Sequence, residues 1–90
     1  MNNISITIST RDNRTQAFGY DPKFYENENA RNIDITNDLA HAKERFEDQV
    51  AIVSVAEWDD DVENSNGIVY QNIDEVLEVY KPKIAVEPEE

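Results

Sequence analysis

The sequence predicts a small α+β domain, an antiparallel sheet with two helices packed on one face, in the order β-β-α-β-β-α with a last edge strand. Three observations predict it. Residues 3–10 alternate Ile4, Ile6 and Ile8 with Ser5, Thr7 and Ser9, the period of a half-buried strand. Residues 50–58 form a second, almost continuous run of valine, alanine and isoleucine. Between and after them, Leu39, Ala42 and Phe46, then Ile73, Val76, Leu77 and Tyr80, recur at helical spacing. With 90 residues and neither repeat nor linker, one domain spans 1–86 and an acidic tail frays over 87–90.

Each element has a local reason. Residues 11–14 (Arg-Asp-Asn-Arg) are polar and turn-prone, so 15–20 return as the second strand of a hairpin. Asp21-Pro22 ends that strand, because proline has no N–H for the ladder. Residues 23–32 are polar apart from Phe24, Tyr25 and Ala30 and read as a loop. Thr36 or Asn37 is the expected N-cap of a helix over 37–48, with Asp38 in the first turn and Leu39, Ala42, Phe46 and Val50 on one face. The run at 50–58 is apolar on both sides and predicts a central strand covered on both faces. Residues 59–66 read as a polar connection, Asn66-Gly67 as a turn and 67–71 as the returning strand. Asn72 caps the last helix, with Glu75 in the capping-box position, and Pro82 stops it. Residues 83–86 supply the edge strand.

Composition removes much chemistry. Without cysteine there are no disulfides, thiolate nucleophiles, zinc fingers or iron–sulfur clusters. The lone histidine, His41, lies within the first helix and is expected on its surface, and no Gly-x-Ser-x-Gly elbow is present. Two glycines, Gly19 and Gly67, cannot write a phosphate loop. Asp59-Asp60-Asp61 suggests a calcium loop, but an EF-hand begun at Asp59 has Asn64 and Tyr70 where glycine and glutamate are required. Twenty acidic residues make any catalytic carboxylate pair trivial to nominate. The expectation is a non-enzymatic protein with no cofactor and no metal. The first residues lack the basic and apolar regions of a signal peptide, and no segment is long enough to span a membrane, which points to the cytoplasm.

Charge is the feature that asks for a function. Residues 1–45 carry six basic and seven acidic side chains, a net of −1, whereas residues 46–90 carry two and thirteen, a net of −11. No lysine or arginine occurs between Phe46 and Tyr80. Such a field opposes direct nucleic-acid binding, for which Arg11, Arg14, Lys23 and Arg31 are too few, and an anionic membrane repels it. It attracts basic surfaces and speeds encounter with them. The candidate contact residues are Glu57, Asp59, Asp60, Asp61 and Glu63, with Asp74, Glu75 and Glu78 as a second row on the last helix. Glu57, Asp59 and Asp61 would stand ~6.6 Å apart on one strand face, near the spacing of successive phosphates. Trp58, beside this run, is the candidate aromatic anchor.

In size, acidity and one-sided charge the chain resembles small phage-encoded DNA-mimic inhibitors, the anti-CRISPR and anti-restriction proteins. The resemblance rests on the acidic run from Glu57 to Glu63 and on Asp74, Glu75 and Glu78, within residues 46–80. It implies an inhibitor that occupies the basic nucleic-acid channel of a host defence nuclease complex. Three alternatives stay open: an acidic adaptor that joins a basic protein without displacing nucleic acid, a small carboxylate enzyme or Ca²⁺ module, and acidity that serves solubility alone. A homodimer is compatible with each.

Overall fold

The computed structural model describes residues 2–59 and 62–82, with backbone alone for 62–66. It is an α+β fold. β1 (Asn3–Thr10) and β2 (Thr15–Tyr20) form a hairpin, followed by a 3₁₀ turn at Pro22–Phe24 and α1 (Glu28–Phe46). A second 3₁₀ turn at Glu47–Gln49 leads into β3 (Val50–Asp59), β4 (Val62–Tyr70) and α2 (Ile73–Val79). The four strands are antiparallel in the order β2-β1-β3-β4.

Register decides which residues are buried. Ile4, Ile6 and Ile8 stand opposite Tyr20, Phe18 and Gln16 on one side and Glu57, Val55 and Val53 on the other. Facing residues share a sheet face, so the isoleucines and Val53 and Val55 form the floor of the core. Ile35, Leu39, Ala42 and Phe46 of α1, with Ile73 and Val76 of α2 and Tyr80 just beyond it, close it from above. A bulge at the β1–β3 pairing beyond Ser9 puts Val50 opposite Thr10, so Val50 packs against the same core.

The structure corrects several expectations. The first helix begins at Glu28, nine residues before the expected start, and residues 28–32 are helix rather than loop. Asn27 is its cap, its Oδ1 accepting from the Ala30 N–H at 2.9 Å. Tertiary packing extends the helix: its buried stripe begins at Arg31 and Ile35, and Arg31 escapes hydrophobic pattern-reading. The Arg31 guanidinium lies over the Tyr80 ring, 5.8 Å from its centroid, and donates to Asn32 Oδ1, so a buried arginine serves as an apolar stem with a satisfied head.

The helix also ends two residues early. Glu47 adopts φ 52°, a conformation that breaks the helix, and Val50 belongs to β3 instead. Asn66-Gly67 is not a turn, because both residues sit within β4, paired with Glu57 and Ala56. The strands instead end at Asp59 and resume at Val62, so most of the expected polar connection over 59–66 is strand. A ten-residue β3 offers a long partner edge, and this ladder outweighs the local turn signal.

β3 is central in the sheet, as expected, but the described residues cover only one of its faces. Among the described residues no element packs over the other face. There Ser5, Thr7 and Ser9 stand opposite Ala56, Ser54 and Ile52, and Ile52 is exposed. The paired rows from Asn3 to Ser9 carry no charged side chain on that side. Matching expectation, α2 is capped by Asn72, whose Oδ1 accepts from the Glu75 N–H at 3.0 Å, and buries Ile73 and Val76. The edge strand at 83–86 and the tail at 87–90 lie outside the described residues.

Candidate functional site

The strand order converts a division in sequence into one in space. β1 and β2 form one side of the sheet and β3 and β4 the other, with α2 packed against β3 and β4 and α1 against β2. The segment lacking lysine and arginine therefore becomes the β3–β4–α2 side of the molecule. Glu75 and Glu78 are exposed on α2. Trp58 and Asp59 end β3 at the tip of the β3–β4 hairpin and are half-buried. Asp60 and Asp61, and the side chain of Glu63, lie outside the described residues.

Glu57 and Asp74 are held by partners within the fold. Glu57 lies on the helix-covered face, where the Tyr80 hydroxyl donates to its Oε2 at 2.5 Å and the Asn2 amide donates to Oε1 at 3.4 Å. It links α2 to the sheet and does not continue an outward row with Asp59. Asp74 pairs with Lys43 of α1 at 2.6 Å, with both side chains more than half exposed. An exposed pair of this kind contributes little stability, but it cancels one charge of the expected second row.

The arginines of the first half are engaged elsewhere. Arg14 pairs with Asp12 at 2.8 Å and lies over the Phe46 ring, 5.0 Å from its centroid. Arg14 and Thr10 both bond the Asp12 carboxylate and hold it below the usual range for an aspartate. Arg11 donates to the Asp48 carbonyl at 2.9 Å, tying the first hairpin to the turn after α1. Arg31 is buried. His41 is exposed on α1, as expected. Among the described residues, no group of three or more His, Asp or Glu side chains is placed to hold a metal ion.

A second constellation lies at the end of the sheet where β2 and β3 stop and β1 starts. Tyr20, Phe24, Tyr25 and Trp58 line a cleft of about 340 Å³, together with Asn3 and Asp21. Asp21 accepts from the Lys23 N–H at 2.9 Å and so caps the 3₁₀ turn that carries Phe24, which is 80% exposed. The Tyr20 hydroxyl donates to Asp38 at 2.8 Å and the Tyr25 hydroxyl to Asp34 at 2.9 Å, so α1 holds both rings in place. Sequence reasoning misses this group. Its one signal along the chain is a pair of adjacent aromatics, Phe24 and Tyr25, in an otherwise polar stretch.

Comparisons with protein-family models, curated proteins and solved structures find no match for this chain. Among the described residues no helix is long and apolar enough to cross a membrane.

The tyrosine–carboxylate bonds have a measurable consequence. Burial, then the Asp34 bond and charge, push the Tyr25 phenol up to about 12; burial with Asp38 raises Tyr20 further, and burial with Glu57 does the same for Tyr80. An unfolded chain ionises these phenols near pH ~10. Folding thus keeps protons that the unfolded chain releases, so this stability is intact below pH ~10 and is lost as pH rises toward and beyond the folded values. Phenolate absorbance against pH should show these three tyrosines titrating late in native protein and together near pH ~10 in denaturant.

Proposed function

We propose that the chain is a non-enzymatic inhibitor that enters the basic nucleic-acid groove of a defence nuclease complex, a CRISPR effector or restriction enzyme, and blocks DNA binding there. The supporting observation is the one-sided arrangement of charge. Ten carboxylates and no basic residue occur between Phe46 and Tyr80, and of these Glu57, Asp59, Asp74, Glu75 and Glu78 are described on β3 and α2, elements that pack together on one side of the fold. Duplex DNA presents one charge per ~1.7 Å of axis, so a net of −11 in that half corresponds to ~20 Å of duplex. Glu75 and Glu78, with the hairpin tip around Asp59, are the groups from which the contact is built, while Glu57 supports them from inside.

Purified effector and restriction complexes, mixed with labelled target DNA and increasing inhibitor, test the reading by mobility shift. The expected outcome is displacement of DNA from one of them at low salt, weakening as salt is raised. A variant with Glu75→Lys and Glu78→Lys should lose about tenfold or more in displacement through slower association, with its melting temperature close to the parent's. Displacement that is unchanged in this variant sinks groove mimicry through α2. Co-elution with a nuclease that keeps its DNA is the signature of an adaptor instead.

A further inference from the structure

We infer that the cleft lined by Tyr20, Phe24, Tyr25 and Trp58 is a binding site for an arginine side chain, supplied by a basic segment of the partner protein. The inference deepens the proposed function and rests on it for the source of the arginine; the binding chemistry rests on the cleft itself. Half of the chain's eight aromatic residues converge here. Aromatic faces carry negative charge density and attract cations within ~6 Å of the ring centroid. Guanidinium suits such a site better than ammonium, because it is planar, stacks on rings and is more weakly hydrated.

Three features favour a cation over a neutral apolar ligand. Asp21 lines the cleft and brings a carboxylate to it. The phenols of Tyr20 and Tyr25 each donate to a carboxylate of α1, which polarises the rings toward greater electron density. The whole chain carries −12, so a cation is drawn toward it and an anion repelled. Phe24 supplies the outer wall. It is held out to solvent on a turn that Asp21 caps, the arrangement of an anchor whose apolar surface awaits a partner. The volume, about 340 Å³, accommodates one long side chain and its backbone.

Trp58 is the only tryptophan, so its fluorescence reports on this cleft alone. The test titrates the full chain with a capped tri-arginine peptide, and separately with capped tri-lysine, at fixed ionic strength. The expected result is a saturable change in Trp58 emission with tri-arginine, and binding several-fold weaker with tri-lysine. Phe24→Ala removes an exposed side chain and should weaken tri-arginine binding about tenfold, between the worth of an exposed and of a fully desolvated cation–π contact. Asp21→Asn keeps the cap oxygen and removes the charge; it should weaken binding to a lesser degree while the melting temperature holds.

A linear, non-saturating response, equal response to both peptides, or unchanged affinity in Phe24→Ala overturns the site. The two readings fail separately. If tri-arginine does not bind while the α2 charge reversal still abolishes DNA displacement, the cleft is wrong and the inhibitor stands. If tri-arginine binds saturably and is lost in Phe24→Ala while no nuclease is inhibited, the cleft stands and the inhibitor falls.

Discussion

Ile6→Ala should destabilise the domain by about 2–5 kcal/mol, the usual cost of emptying a fully buried isoleucine site. Ile6 is inaccessible to solvent and sits between Phe18 on β2 and Val55 on β3, near the middle of β1. β1 is the strand that joins the two hairpins, because the sheet runs β2-β1-β3-β4. A cavity there loosens both ladders at once. A chain of this length has a total stability of only about 5–13 kcal/mol, so the loss is about a sixth of what holds the fold at the least and nearly all of it at the most. Charge self-repulsion places this protein toward the lower end. Denaturant titration should show a lower midpoint with unchanged slope. Ile33→Ala is the control: Ile33 is 45% exposed on the outer side of α1, and its loss should stay within about 0.5 kcal/mol. Equal costs at the two positions would mean that the β1 register, with Ile6 facing the helices, is wrong.

Why that register was legible, and other features were not, follows from the range of the interactions involved. The alternation of Ile4, Ile6 and Ile8 is a local pattern with one physical solution, a strand with one covered face. Asn72 and the stripe from Ile73 to Tyr80 are likewise complete within a single helix. The start of α1 was hidden because its first two turns carry Arg31 as the buried residue. That arginine is buried only because Tyr80, forty-nine residues later, offers a ring to lie on. The Asn66-Gly67 turn failed for the same reason in reverse. A signal sufficient for an isolated peptide yielded to pairing with Glu57 and Ala56. No pattern along the chain says that Tyr20, Phe24, Tyr25 and Trp58 meet, since that depends on where β2 and β3 end relative to each other.

The acidic surface was legible as a count and only partly as a place. Counting found the charge division between the two halves, and the strand order preserved it as two sides of a sheet. Counting did not distinguish a carboxylate offered to solvent from one taken up internally. Glu57 and Asp74 belong to the second kind through Tyr80 and Lys43, and both donors lie far from them in sequence. The positions around Glu57 look alike on paper, yet the sheet sends Glu57 under the helices and leaves Trp58 at the cleft.

Tyr80→Phe should cost about 1.5–3 kcal/mol, the range for a hydrogen bond to a charged group. Tyr80 is 4% exposed, and its hydroxyl is the close donor to Glu57, with the Asn2 amide at 3.4 Å the weaker one. Removing the hydroxyl leaves a half-buried carboxylate under α2 with its main partner gone, and the ring is kept, so Arg31 still has a surface to lie on. Glu57→Gln is the gentler change. The amide oxygen still accepts from Tyr80, so the cost should stay below about 1.5 kcal/mol. Their pH dependences differ as well. Because the Tyr80 phenol titrates above its unfolded value, the parent loses stability above pH ~10. Tyr80→Phe removes that share of the decline, so the two melting curves should converge as pH rises from ~8 to ~11. The pair also separates structure from recognition. If Glu57 acts from inside, Glu57→Gln shifts the melting temperature slightly and leaves DNA displacement by the folded protein unchanged, whereas Glu78→Lys does the opposite. A Glu57→Gln variant that melts like the parent yet fails to displace DNA would move Glu57 from the interior to the contact surface, and the bond to Tyr80 would then be incidental.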